Sequence, residues 1–227
     1  MKITWLGQAG LLFEEEGVSL MIDPYLSDCV AKLNPAKARR VPVDERFFDI
    51  TPDVLIFTHD HLDHYDPETA PRFLGKTDKE IVVLCPPSVF PKALAHENEH
   101  NYVRMERGTV WTEGPFRITA VKAAHSDPDA MGVLIEVAGK TYYVTGDTLY
   151  NENIFADIPA GVELLLLPVN GVGNNMNMQD AARFAARVAP RFAVPLHVGL
   201  FDSLDPRDFP YENKIIPQFF REIEVPS

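Results

Sequence analysis

The sequence His59-Asp60-His61-Leu62-Asp63-His64 contains three of the protein's seven histidines and two aspartates. Neutral imidazole is a common protein ligand for transition metals, and carboxylate oxygens bind many of the same ions. Residues two apart in extended backbone point to one side, so His59 and His61 are expected to face one ion. Asp63 and His64 follow at a predicted turn, where they can face a second ion. A histidine-rich surface loop is the alternative, but it does not explain this density directly after an apolar run.

Three later polar residues stand in the same kind of position, directly after an apolar, strand-like run. They are His125, Asp147 and His197. Open β-containing folds place binding and catalytic residues where strands leave the core. We therefore expect these three residues to join the histidine-rich segment in a two-metal site. His96 and His100 lie instead in a polar helical stretch and are expected to be surface histidines.

Apolar runs separated by Gly and Pro predict a protein rich in short strands. The predicted strands are 2–6, 11–15, 18–22, 53–58, 81–84, 109–112, 116–123, 133–137, 141–144, 163–167 and 192–196. Helices are expected at 67–74 with Asp66 as N-cap, at 88–96, at 151–157, and at 178–188 with Asn177 as N-cap. Residues 25–50 predict a long loop with a short helix. Two β-rich halves with helices indicate two sheets covered by helices, within a single domain spanning 1–227.

The composition is that of a folded protein with an acidic surface, because 46% of the residues are hydrophobic and the formal net charge is −12. This charge repels polyanions, so neither nucleic acid nor an anionic membrane is expected as a partner. No apolar run approaches the length of a membrane span. Two distant cysteines and the absence of a signal-peptide pattern predict a cytoplasmic protein with reduced thiols. The expected partner is a small-molecule substrate, and a homo-oligomer is compatible with the sequence.

The spacing of these polar residues resembles that of the metallo-β-lactamase superfamily, whose members carry a His-x-His-x-Asp-His motif followed by a distant His, Asp and His. The resemblance extends from Trp5 to His197. It implies the α/β (α+β) class and a four-layer αββα sandwich, with metal ions at one edge of the two sheets. It also implies an acidic residue, here Asp23, that supports a ligand histidine from outside the metal shell. The implied ligands are His59, His61 and His125 for one ion, Asp63, His64 and His197 for the other, and Asp147 as the bridge.

Within the superfamily, the chain looks most like the bacterial hydrolases related to ascorbate-6-phosphate lactonase. Segments 2–10, 21–24 and 176–197 carry that likeness. The chain departs from the glyoxalase-II branch, which has glycines after the motif where this chain has Tyr65-Asp66-Pro67. Segment 171–175 is a local variation at the expected rim of the site, where substrate choice is usually made.

The resemblance implies a metal-dependent hydrolase in which two divalent ions share a hydroxide that cleaves a small ester, lactone or phosphorylated metabolite. Asp63 is the candidate catalytic residue, binding metal and transferring a proton. Nitrogen and oxygen ligands without thiolate suit zinc, manganese or iron. Two alternatives stay open: a phosphodiesterase or nuclease of the same superfamily, and a non-hydrolytic metal-binding or redox protein.

The substrate pocket is less defined by the sequence. Basic side chains between residues 32 and 40 could meet a phosphate, and asparagines between 170 and 175 could bind a sugar-like ligand; the alternative for each is a solvated loop. These residues are Lys32, Arg39, Arg40, Asn170, Asn174 and Asn175.

Overall fold

The first of two six-stranded sheets is built from the N-terminal half of the chain in the computed structural model, which describes residues 1–226. Its strands lie side by side in chain order: β1 (Lys2–Gly7), β2 (Gly10–Glu15), β3 (Val18–Ile22), β4 (Val54–Ile56), β5 (Val82–Cys85) and β6 (Asn101–Arg104). Strands β1 to β3 are antiparallel, and β3 to β6 are parallel. The β2–β3 hairpin turns at Glu16-Gly17, where both residues have positive φ, as a two-residue hairpin turn requires.

The second sheet is built from the C-terminal half and also keeps chain order. Its strands are β7 (Val110–Glu113), β8 (Phe116–Lys122), β9 (Met131–Val137), β10 (Lys140–Val144), β11 (Val162–Pro168) and β12 (Phe192–Leu196). Strands β7 to β10 are antiparallel, and β10 to β12 are parallel.

Within the described part of the chain, four α-helices accompany the sheets: α1 (Cys29–Leu33), α2 (Ala70–Leu74), α3 (Phe90–Leu94) and α4 (Met178–Val188). Short 3₁₀ turns occur at 35–37, 45–49, 152–154 and 206–208. Helix α4 has the predicted bounds, and the Asn177 side chain accepts hydrogen bonds from the backbone N–H groups of Gln179 and Asp180. Within residues 1–226, none of the helices has the length and apolar character needed to cross a membrane.

The hydrophobic core forms three layers, which explains how the sheets and helices stack. Side chains from both sheets, including Phe13 and Phe116, fill the space between the sheets. Helices α2 and α3 pack through Phe73 and Ala93 on the outer face of the first sheet. Helix α4 packs through Phe184 on the outer face of the second. Burying each large apolar side chain contributes roughly 1.5–3 kcal/mol to the stability of the folded protein. The order of the layers is that of the expected αββα sandwich.

Strand direction brings many loops to one edge. In the first sheet, β1 and β3 are both antiparallel to β2, and β3 is parallel to β4, so these three strands run the same way. In the second sheet, β8, β10, β11 and β12 share one direction by the same reasoning. The carboxyl ends of these strands deliver the chain to the loops that carry the candidate site.

The structure differs from the sequence-based expectation in several local elements. Strand β6 was not expected, because its half-exposed residues give a weak hydrophobic pattern. The expected strand 53–58 ends at Ile56, and the helices expected at 88–96 and 151–157 shrink to α3 and a 3₁₀ turn. Helix α2 begins at Ala70 because the Asp66 carboxylate binds Glu68 N–H and the Thr69 hydroxyl in a separate turn.

Candidate metal centre

The histidine-rich segment forms a tight turn shortly after β4. The backbone N–H groups of His64 and Tyr65 both donate to the carbonyl of His61, at 3.0 and 2.8 Å. The backbone bends at His59 and His61, so the extended conformation expected there is wrong. The two rings nevertheless lie side by side, with centroids 4.6 Å apart.

Three residues from the second sheet meet this turn. His125 follows β8, and its Nε2 lies 3.1 Å from Nδ1 of His61. Asp147 follows β10, and its two oxygens lie 3.3 Å from Nε2 of His64 and 3.3 Å from Nε2 of His197. The structure therefore brings together the three later residues and the histidine-rich segment, although up to 138 positions separate them in sequence.

The ligand-type atoms fall into two sets with Asp147 between them. The first set comprises His59, His61, His125 and Asp147, whose ligand atoms all lie within 4.8 Å of one another. The second set, by the same criterion, comprises Asp63, His64 and His197. Because the Asp147 oxygens also lie 3.3 Å from two imidazoles of the second set, this carboxylate touches both. Asp147 therefore lies between two groups of side chains of the kind that bind metal ions.

The donor atoms fit divalent metal ions. Nε2 of His59, Nε2 of His64 and Oδ1 of Asp147 are buried and have no hydrogen-bond partner among the described residues. A buried polar atom without a partner costs about 1–3 kcal/mol, so such atoms are retained where something else binds them. Imidazole nitrogens and carboxylate oxygens without thiolate match zinc, manganese or iron.

Each of the five histidines also contacts, through one of its ring nitrogens, a polar group that belongs to neither set. Such partners orient the ring and select the tautomer. The contacts are His59 with the Thr58 hydroxyl at 3.1 Å, His61 with Ser126 at 3.3 Å, His64 with Asp23 at 2.7 Å, His125 with the Asn174 carbonyl at 3.2 Å and His197 with Asn170 at 2.9 Å.

Asp23 and His64 form a fully buried pair of this kind. Asp23 lies 1% exposed at the end of β3, and its carboxylate accepts the Nδ1–H of His64 and the backbone N–H of Thr58 at 2.8 Å. Nε2 of His64 is thereby left to face Asp147. The resemblance implied a supporting role for Asp23, and the structure places its carboxylate against the His64 ring.

Several residues around the centre have left-handed backbone, among them Gln8 with φ +51°, Asp23 with φ +42° and His197 with φ +61°. Each non-glycine residue in this region costs on the order of 1–3 kcal/mol and persists only where its surroundings fix it. Here the backbone N–H of His197 donates to the carbonyl of Gln8 at 3.0 Å, which joins two of the strained residues. Strain of this kind typically concentrates at functional sites.

Electrostatics favour positive charge in the buried part of the centre. Burial by itself lowers the pKa of His64, but the carboxylates of Asp147 and Asp23 outweigh it and raise that pKa well above its usual range. Burial likewise opposes the charge of His197, but Asp147 and Asp63 raise its pKa to about 10. Conversely, burial lowers the pKa of His59 well below its usual range. The carboxylates therefore draw cationic charge toward the second set, while His59 presents a neutral ring.

Sequence reasoning missed several supporting residues. Gln8 follows β1 and touches Asp63 and His197. Asn175, which the sequence offered only as a possible contact for a sugar-like ligand, donates to Oδ2 of Asp147 at 2.7 Å and accepts from Thr148 N–H. The same rule that found His125 could have found Gln8, because each follows a strand that ends at this edge. It failed because carboxamides are common in loops and carry little metal-ligand signal.

Comparison with known proteins agrees with this geometry. The family model of the beta-lactamase superfamily domain matches residues 2–197. A UPF0173 metal-dependent hydrolase from Carboxydothermus hydrogenoformans is 32% identical over an alignment that covers 87% of this chain and 84% of the relative. The chain belongs to this family of metal-dependent hydrolases. The family lies within the metallo-β-lactamase superfamily, which confirms that part of the resemblance; the relative's name states no lactone or other substrate.

Two solved structures share the fold of this metal-dependent hydrolase. Igni18, a metallo hydrolase from Ignicoccus hospitalis, has a TM-score of 0.75 and 21% identity, and the match covers 98% of this chain and 97% of Igni18. CmlA, a diiron β-hydroxylase from Streptomyces venezuelae, has a TM-score of 0.75 and 14% identity, covering 99% of this chain and 54% of CmlA. At these identities the likeness shows the fold alone.

Replacing Asp23 with asparagine is expected to weaken metal binding about 10–100-fold, the usual cost of losing an outer-shell partner. An amide cannot accept hydrogen bonds at both ends, so the substituted side chain cannot serve both Thr58 and His64. Competition with a coloured chelator would measure the affinity. Asp205→Asn is a suitable control, since that carboxylate pairs with Arg207 on the surface. Unchanged affinity in a folded Asp23→Asn protein would contradict the role given to Asp23.

Proposed function

We propose that this protein is a two-metal hydrolase that cleaves a small ester, lactone or phosphorylated metabolite. The observation that carries the proposal is the position of Asp147, whose carboxylate touches both sets of ligand-type residues. Two divalent ions, zinc or manganese first and iron as a further candidate, suit the donors. His59, His61 and His125 would hold one ion, Asp63, His64 and His197 the other, and Asp147 would bridge them.

The chemistry would divide between the ions and the protein. Paired divalent ions, when bound, lower the pKa of a shared water and polarise the bond to be cleaved. Asp63 is the candidate proton carrier: Gln8 holds its Oδ2, which leaves Oδ1 to accept a proton and return it to the leaving group. Hydrogen bonds keep its pKa below the usual carboxylate range, because the contact with His197 outweighs the effect of burial.

The cavity at the centre supports a small substrate. It has a volume of about 270 Å³, at the low end of the range for small-molecule sites. His61, Asp63, Asp147 and His197 form its polar floor. Its remaining wall combines apolar and polar side chains: Val30, Lys37, Asn170, Val172, Asn175, Phe201 and Asp202. A compact molecule with one reactive carbonyl or phosphorus centre suits these dimensions.

The side chain of Lys37 in the cavity wall suits a substrate that carries an anionic group. Lys32, which was expected to meet a phosphate, pairs with Glu68, and the half-buried Arg39 side chain donates to the carbonyl of Tyr25 at 2.8 Å. Lys37 lies half-buried in the cavity wall and has no ion-pair partner within residues 1–226. An anionic substituent beside a reactive ester or lactone would be neutralised there.

Two other functions predict different results. A phosphodiesterase or nuclease would use the same residues, but the net charge of −12 opposes polyanions. A non-hydrolytic iron protein is favoured by the shared fold of CmlA, whose name describes a diiron hydroxylase. Bound iron with visible absorption and no turnover would support that reading.

Elemental analysis of the purified protein, paired with a screen over lactones, carboxylic esters, thioesters and phosphodiesters, tests the proposal. We expect about two divalent ions per chain and turnover of a small ester or lactone by the loaded protein. Salt-sensitive RNA cleavage would favour the nuclease. A protein that binds no divalent ion under any loading condition would end the proposal.

Replacing Lys37 with alanine is expected to raise KM for an anionic substrate about 10–100-fold with little change in kcat, because a hydrogen bond to a charged group is worth roughly 1.5–3 kcal/mol. The neutral methyl ester of the same compound should be nearly unaffected. Lys32→Ala, which removes a lysine paired with Glu68, is the matched control. Equal losses on the charged and neutral substrates would contradict this role.

A further inference from the structure

Gln8 makes an unusual set of contacts with the second set of ligand-type residues. Its side chain is 1% exposed, and its Nε2 donates to Oδ2 of Asp63 at 2.8 Å. The same nitrogen lies 3.0 Å from Nδ1 and 3.2 Å from Nε2 of His197. The near-equality of these two distances places the amide beside the ring and not along either ring N–H direction. The directed hydrogen bond of the amide is therefore the one to Asp63.

The backbone of Gln8 also contacts one of these two ligands, His197. Its carbonyl accepts the backbone N–H of His197 at 3.0 Å and the indole N–H of Trp5 at 3.0 Å. Trp5 is 1% exposed and stacks on Phe219 with a centroid distance of 4.4 Å. The carboxamide is thus anchored to the core and has little freedom to turn away from the centre.

Two carboxamides, those of Gln8 and Asn170, contact the His197 ring in different ways. Nε2 of His197 lies 3.3 Å from Oδ2 of Asp63 and 3.3 Å from Oδ2 of Asp147, so Nε2 faces the carboxylates and Nδ1 faces away. Asn170 lies at Nδ1, and its buried Oδ1 has no partner among the described residues. A half-turn of the Asn170 amide would let that oxygen accept the Nδ1–H. The hydrogen bond of the Gln8 amide then goes to Asp63, while the same amide packs against the His197 ring.

We propose that Gln8 is the positioning residue of the second ion, holding the Asp63 carboxylate and the His197 ring in the geometry that binds it. The proposal rests on the two-ion function above. Asp23 supports one ligand of this set, whereas Gln8 touches two. Loss of the Gln8 amide frees the Asp63 carboxylate to rotate and removes the packing against the His197 ring. Within residues 1–226 Gln8 makes no hydrogen bond to the first set, so that set is expected to keep its geometry.

Gln8→Met tests the inference, because methionine has similar length and bulk but cannot donate a hydrogen bond; Gln8→Ala is the second variant. Chelator competition should show the ion at the second set bound about 10–100-fold more weakly. The ion at the first set should be bound as in the unmodified protein. Gln179→Ala, which removes an exposed glutamine on α4, is the matched control. Far-UV circular dichroism and melting without added metal establish that each variant is folded.

A second experiment determines which set holds the weakened ion. It uses the His125→Ala variant, which lacks a ligand of the first set only. In that background Gln8→Met should weaken the remaining ion and change the visible absorption of bound cobalt(II). Two unchanged affinities in folded Gln8→Met protein, or equal weakening of both ions, would overturn the role of Gln8. If the unmodified protein itself binds no second ion, the two-ion function fails, and the role proposed for Gln8 fails with it.

Discussion

Asp147→Ala is expected to empty both halves of the centre and to lower hydrolysis about a thousandfold or more, since the ions supply several kcal/mol of transition-state stabilisation. The Asp147 carboxylate lies 3.3 Å from imidazole nitrogens of both His64 and His197 and belongs to the first set as well. Under the proposed two-ion function, removing it deletes a ligand from each ion at once. It also leaves the Asn175 amide without its acceptor.

Elemental analysis and steady-state kinetics would measure the effect of Asp147→Ala. Asp147→Asn separates charge from shape, because it keeps a side chain of the same size beside Asn175 while removing the negative charge. Asp180→Ala, which removes a partly exposed carboxylate on α4, serves as the control. Retention of two ions and full turnover in folded Asp147→Ala protein would exclude Asp147 as the bridge.

His61→Ala is expected to abolish hydrolysis as well, but with a different metal content. His61 belongs to the first set, lies half-buried, and lines the cavity wall. Truncating it therefore removes a ligand without opening a hole in the hydrophobic core. We expect loss of the ion at the first set, with the second set still able to bind when the concentration of metal is raised.

The comparison of His61→Ala with Asp147→Ala separates the two sets. The expected pattern at raised metal concentration is one ion per chain in His61→Ala and none in Asp147→Ala. His96→Ala is the control, since His96 contacts the Tyr65 hydroxyl outside the centre. Full activity in folded His61→Ala protein would mean that the reacting centre has been wrongly assigned.

The positions of many strands along the chain could be predicted because the hydrophobic pattern is local. The runs that became β1, β2, β3 and β12 were recognised within one or two residues, and α4 was recognised with its cap. Burial on one face produces such patterns directly in the sequence. Strand β6 was not predicted because its side chains are mostly half-buried and give a weak hydrophobic pattern. Backbone pairing with β5 holds this segment in the extended conformation.

The supporting residues of the centre were predicted unevenly for a related reason. Asp23 was identified through the superfamily resemblance, while Gln8, Asn170 and Asn175 were not assigned to the ligands. Their amides are neutral and can serve many partners, so residue type alone does not fix their role. Their contacts with Asp63, His197 and Asp147 exist only after loops from both sheets meet.

The sequence by itself determined the chemical character of the centre, because the density of His and Asp residues in 59–64 and the polar residues after later strands are local facts. Only the tertiary structure decided that Asp147 touches both sets and that Lys37, not Lys32, enters the cavity. These outcomes depend on strand direction, which brings the carboxyl ends of strands from two sheets to one edge. Distances between side chains far apart in sequence follow from that packing and have no local signature.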